Sequence, residues 1–92
     1  MVRLKDKVAT KVRHTAKTIS VTYHDTEIVK VEFGKQITLR SGGWETATTK
    51  RRMNQAAAEF DLDFQVWQEL RKWYVAWKGK TIEFEDGMTL TI

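Results

Sequence analysis

From Thr18 onward, apolar and polar residues alternate along most of this chain, and the alternation breaks at one place, Ser41-Gly42-Gly43-Trp44-Glu45-Thr46. Period two sends successive side chains to opposite faces, which is the pattern of half-buried strands. Before the break, Ile19, Val21 and Tyr23 alternate with Ser20, Thr22 and His24. Val29, Val31 and Phe33 then alternate with Ile28, Lys30 and Glu32, and Ile37 and Leu39 with Thr38 and Arg40. His24-Asp25-Thr26 and Gly34-Lys35 are the turn signals between these runs. The spacing predicts an antiparallel three-strand meander.

Beyond the break, Met53, Ala56, Ala57 and Phe60 fall at i, i+3, i+4 and i+7, the apolar stripe of one amphipathic helix. Thr48 or Thr49 is the expected N-cap, and the end is expected near Phe60-Asp61. Lys50, Arg51, Asn54, Gln55 and Glu59 are left facing water. Period two then returns over Phe64–Trp67, Trp73–Trp77, Ile82–Phe84 and Met88–Ile92. About four short antiparallel strands are expected there, with turns at Leu70-Arg71-Lys72, Lys78-Gly79-Lys80 and Asp86-Gly87. Asp-Gly is a favoured pair for a two-residue hairpin turn. A meander, a central helix and further strands make an α+β fold, a single domain over residues 18–92. Residues 1–17 read as a basic arm or a short helix, since Leu4, Val8 and Val12 recur at a spacing of four.

The absence of cysteine rules out disulfides and thiolate metal sites and is compatible with a reducing compartment. No apolar run approaches the roughly 20 residues that span a bilayer, and the N-terminus lacks the apolar stretch of a signal peptide. Charge is uneven: residues 1–52 hold 12 Lys+Arg against 5 Asp+Glu, and residues 53–92 hold 4 against 7. Such asymmetry points to a basic face and an anionic partner, unless folding interleaves the halves.

The helix start concentrates the candidate chemistry. Lys50, Arg51 and Arg52 read as falling in the first turn, where the positive end of the helix dipole favours acids instead. Local rules are often broken at functional sites. Backbone N–H groups at a helix start favour anions, Gly42 and Gly43 allow close backbone approach, and Ser41, Thr48 and Thr49 add hydroxyls. The adjacent glycines fail the P-loop spacing, so no nucleotide-hydrolysing site is read. The plain alternative is a strand-to-helix turn with solvated cations. Lys11, Arg13 and Lys17 form a second basic set.

Aromatics lie among cations in the second half, where they could stack single-stranded bases. Alternation instead sends Trp73 and Trp77 to the core with Val75, and Trp67 and Tyr74 the other way. Trp44 is either a plug over the core or a contact residue. His14 and His24 lack a second metal ligand at a suitable spacing. Neither serine sits in a nucleophile elbow. Glu83, Glu85 and Asp86 read as an acidic, solvated edge. No group combines nucleophile, base and orienter, so neither catalysis nor a metal or cofactor is expected.

The segment Leu39–Asn54, with its Ser-Gly-Gly-Trp and Thr-Thr-Lys pieces, resembles the signature of small uncharacterised proteins of tailed phages and prophages. Tyr23–Val29, Phe64–Gln68, Trp73–Val75 and Phe84–Met88 extend the likeness over roughly residues 10–92. The resemblance implies a phage origin and a host-cytoplasm setting, and carries no activity or site residues. Lys50-Arg51-Arg52 is more basic than the usual context, and Leu70-Arg71-Lys72 stands where a glycine-containing turn is common. The expectation is a non-enzymatic phage accessory protein contacting nucleic-acid phosphates at the helix start. The rivals are a protein-interaction module directed at a host enzyme or defence system, anchored by Trp44, Trp67 or Tyr74, and an oligomeric assembly protein pairing sheet edges.

Overall fold

A computed structural model describes residues 7, 9–43 and 45–92. Trp44 and residues 1–6 and 8 of the basic arm lie outside the described residues. Strands β1 (Thr10–His14), β2 (Thr18–Tyr23), β3 (Thr26–Glu32) and β4 (Gln36–Leu39) precede helix α1 (Ala47–Glu59). Strands β5 (Phe64–Glu69), β6 (Lys72–Trp77), β7 (Lys80–Glu83) and β8 (Met88–Thr91) follow it. The fold is α+β, with one helix and two antiparallel sheets. One sheet has the order β1-β2-β3-β4-β8 and the other β5-β6-β7.

The meander over β2, β3 and β4 is as the alternation implies, and the larger sheet adds a strand at each side. Thr10–His14 is a strand, neither loose arm nor helix. It pairs with β2 throughout, Val12 opposite Val21. A single apolar residue, Val12, carries its inward face, too little for periodicity to register. The chain passes from β1 to β2 through a turn in which the Thr15 hydroxyl accepts from the Thr18 N–H at 3.0 Å.

Asp86-Gly87 does make a turn, with Met88 N–H donating to the Glu85 carbonyl at 3.0 Å. It is not a hairpin, because β7 and β8 belong to different sheets. Gly87 N–H donates to the Leu39 carbonyl at 2.9 Å, which steers the chain to β4. Hairpin chemistry here serves a crossover between sheets.

The inner faces of both sheets and one side of α1 share a core. Ile19, Val21, Val29, Val31, Ile37, Leu39 and Leu90 come from the larger sheet, and Val66, Trp73 and Val75 from the smaller. Met53, Ala56 and Ala57 come from α1. A two-against-one irregularity at Val21/Thr22 leaves Ile28 unpaired, and both Ile28 and Val29 are buried. The small alanines let α1 lie close to the strands. Its last turn closes on a left-handed Asp61 (φ 54°), with Leu62 N–H donating to the Ala57 carbonyl at 2.9 Å. That bond satisfies a carbonyl the helix leaves unpaired.

Asn54 does not face water. Its side-chain amide pairs with the β5 backbone: Nδ2 donates to the Val66 carbonyl at 2.8 Å, and Oδ1 accepts from the Val66 N–H at 2.7 Å. The amide thereby acts as a missing neighbour for an edge strand. Lys78 closes another edge, its Nζ donating to the Thr91 carbonyl of β8 at 3.3 Å. Edges treated in this way are poor templates for pairing with another chain.

Candidate functional site

The helix begins earlier than expected. Thr46 is the N-cap, its hydroxyl oxygen accepting from the Thr49 N–H at 3.2 Å. Thr48 and Thr49 are therefore inside the first turn, and Thr49 is fully buried with its hydroxyl 3.0 Å from that of Thr46. Lys50, Arg51 and Arg52 fall at the fourth to sixth helical positions, not in the first turn. The dipole effect fades beyond that turn, so the apparent conflict in sign largely disappears.

The three cations also diverge, as neighbours about 100° apart on a helix must. Lys50 reaches the smaller sheet, with Nζ 2.8 Å from Gln68 Oε1 and 5.3 Å from the centre of the Trp73 ring. Arg52 turns to β2. Its guanidinium lies 5.9 Å from the centre of the Tyr23 ring, and Nη1 donates to Gln55 Oε1 at 2.9 Å. Of the three, Arg51 alone is exposed.

The glycine loop is occupied by an internal anion. Ser41 is buried, and its N–H and hydroxyl both donate to the Asp86 carboxylate, at 2.9 and 3.2 Å. Gly43 N–H donates to Ser41 Oγ at 3.2 Å. Gly42 has φ 63°, and a Cβ added there would run into the Thr26 side chain. Close backbone approach is thus used for packing against the β2–β3 turn. The Asp86 carboxylate thus engages both Ser41 donors, the N–H and the hydroxyl.

The other basic set converges better. Alternation along β1 sends Val12 to the core and Lys11 and Arg13 to the outer face of the five-stranded sheet. Arg13 pairs in register with Ser20, Ser20 with Lys30, and Lys30 with Thr38, which makes one row across four strands. Lys11 lies beside Thr22, and Thr22 beside Glu27, in the next row. Strands are about 4.8 Å apart, so the Arg13 and Lys30 backbones stand about 10 Å apart with the Ser20 hydroxyl between them. Lys11, Arg13 and Lys30 line a groove of about 670 Å³ with Thr18, Ser20 and Thr22.

Glu27 is the acid of that groove, and it is engaged. It accepts from the Ser20 hydroxyl and lies 3.7 Å from Arg40 Nη1. Glu32, nearby on β3, pairs with Lys35 at 3.6 Å. Among the described residues, Lys11, Arg13 and Lys30 have no ion-pair partner. Lys17 sits in the exposed β1–β2 turn and does not line the groove. Lys30 is the residue that sequence reasoning misses. Its place on the polar side of Val29 and Val31 is the available signal, but only the register puts it beside Arg13.

Trp67 and Tyr74 point away from the core as expected and stack on the outer face of the smaller sheet, with ring centres 5.9 Å apart. That face also carries Glu69, Lys72 and Glu83, the last two an ion pair at 3.8 Å, so it is not basic. Trp73 is buried against Phe84. Among the described residues there is no group of three or more His, Cys, Asp and Glu side chains able to hold a metal ion. Among them, too, no helix is long and apolar enough to cross a membrane.

No curated protein and no solved structure matches the chain. Residues 3–91 match the Kyanoviridae Gp96 protein family, which spans nearly every residue discussed above and agrees with the phage resemblance. The chain belongs to the Kyanoviridae Gp96 protein family, a family of phage proteins.

Proposed function

We propose that this phage protein is a non-enzymatic accessory factor that acts in the host cytoplasm and binds nucleic acid through its phosphates. The observation that carries the reading is the outer face of the five-stranded sheet, where Lys11, Arg13 and Lys30, none of them ion-paired among the described residues, line a groove with the Thr22 hydroxyl, while the one carboxylate lining it, Glu27, is engaged by the Ser20 hydroxyl and Arg40. Cations and hydroxyls are the usual donors to phosphate oxygens, and such contacts position a protein without reading sequence. The groove displays no aromatic ring for stacking and no side-chain amide for reading base edges. Binding on this face would therefore be indifferent to sequence. Phosphate contacts release counterions, so affinity falls as salt rises. Titration of a fluorescent duplex of about 20 base pairs should give a linear fall in log affinity with log salt, with equal slopes for unrelated sequences. Absence of binding at low salt, or an affinity unmoved by salt, would refute the proposal.

A further inference from the structure

Helix α1 turns a second face to the edge of the smaller sheet. Ala47, Arg51, Asn54 and Ala58 recur at i, i+4, i+7 and i+11, a helical spacing distinct from the Met53 stripe. Asn54 ties this face to the Val66 backbone. On either side of that tie the alanines leave room, and a groove of about 510 Å³ runs between α1 and Val66, Trp67 and Gln68 of β5. Among the described residues that line it are two cations, Lys50 and Arg51, and no carboxylate. Lys50 is held by Gln68 Oε1 at 2.8 Å, whereas Arg51 is exposed and has no ion-pair partner among the described residues. Glu69, the nearest acid along β5, stands opposite Lys72 and does not line the groove. Trp67 supplies an aromatic wall. Tyr74, its register partner on β6, covers the ring from the β6 side, and β5 is the edge strand, so the other side of the ring is turned to the groove. Helix α1 thus brings to Trp67 the cations that its own sheet face lacks.

We infer that this groove takes one unpaired nucleotide of a single-stranded nucleic acid, its base stacked on Trp67 and its phosphate against Arg51. A nucleotide joins a planar ring to an anion in one unit, and the groove offers an indole face and a free guanidinium with no acid between them to repel a phosphate. Its volume falls in the range of about 300–1,000 Å³ that small ligands occupy. Stacking on an aromatic ring tolerates any base, because every base has a π-face. The inference rests on the nucleic-acid reading above for the class of partner, but on a different surface. The groove of Lys11, Arg13 and Lys30 has no aromatic ring and takes the phosphates of a duplex. A duplex keeps its bases paired and stacked, so it leaves the α1–β5 groove unfilled.

The test compares octathymidylate with an abasic octamer of the same charge, titrated into the whole protein at low salt. Affinity for octathymidylate should be higher by at least about tenfold, the scale of one stacked base. Trp67→Leu should remove most of that preference, and Trp67→Phe, which keeps a ring, should retain it. Arg51→Gln should weaken both oligomers alike, since it removes a phosphate contact and leaves the stacking wall. The triple change of Lys11, Arg13 and Lys30 to glutamine should lower duplex affinity and leave the preference for bases intact. Equal affinity for the two octamers, or a preference that survives Trp67→Leu, overturns the inference. Loss of the preference with duplex binding unchanged overturns it alone, and absence of duplex binding with the preference intact overturns only the sheet-groove reading. Should Trp67→Leu fail to fold, the indole N–H resonance of Trp67 in the wild-type protein decides. It should shift with octathymidylate and stay still with the abasic octamer, and stillness with both refutes the stacking.

Discussion

Replacing Asn54 by alanine is expected to lower the stability of the fold by about 2–4 kcal/mol, because two backbone groups are deprived of their partners at once. The Asn54 amide donates to the Val66 carbonyl and accepts from the Val66 N–H, at 2.8 and 2.7 Å. Alanine leaves both groups half-buried beside α1, and among the described residues no other strand lies at that side of β5 to take them. Leaving such a group unsatisfied costs more than the net value of the bond itself. For a domain of this size the substitution should lower the melting temperature by more than about 10 °C. Hydrogen exchange at the Val66 amide should accelerate with it. Arg51→Ala, on the same helix but exposed, should stay within about 0.5 kcal/mol of wild type. Equal stability of the two variants would show that α1 is held to β5 by packing alone.

Asn54 also shows where sequence reading stops. Helical periodicity assigns Met53, Ala56 and Ala57 to the core, and they are there, because burial repeats with the helix. It puts Asn54 in water because polar residues off the stripe usually are. Whether one of them meets a strand edge depends on where the second sheet sits, and periodicity does not encode that. The same limit applies at β1. Lys11 and Arg13 flank one apolar residue, Val12, and one apolar residue does not make a strand pattern. The strand is recognisable only once β2 offers it a partner.

The helix start is ambiguous in sequence for a more local reason. Thr46, Thr48 and Thr49 are all able caps, and three residues separate the first from the last. The choice of Thr46 moves every cation down one turn and removes the dipole conflict that makes the segment look functional. Asp86 is 45 residues from Ser41, so no local pattern could announce that the loop is already anchored. Charge asymmetry is more informative than the motif. The basic half supplies β1 to β4 and the acidic half supplies β5 to β7 together with β8, which joins the larger sheet but carries no charged residue, so the charged strands of the two halves lie in different sheets.

The second large effect concerns binding. Changing Lys11, Arg13 and Lys30 together to glutamine should reduce the slope of log affinity against log salt by about 3, near one for each phosphate no longer neutralised. Affinity at low salt should fall by at least about tenfold, equally for unrelated sequences. Glutamine keeps much of the apolar stem, so packing along β1 and β3 is retained and the melting temperature should change little. Arg51→Gln should alter the slope by less than about 1, since Arg51 projects from α1, away from the outer face of the five-stranded sheet. Arg52 is a poor probe of binding, because its interactions with Tyr23 and Gln55 make it part of the fold.

The most direct measurement is amide chemical-shift mapping of the labelled protein during titration with a short duplex at low salt. Binding on the sheet face should move the amides of Lys11, Arg13, Ser20, Thr22 and Lys30 and leave those of Ser41, Gly42, Gly43 and Thr49 nearly still. Shifts centred on residues 41–52, with the β1–β3 amides unmoved, would contradict the assignment and return the phosphate site to the helix start.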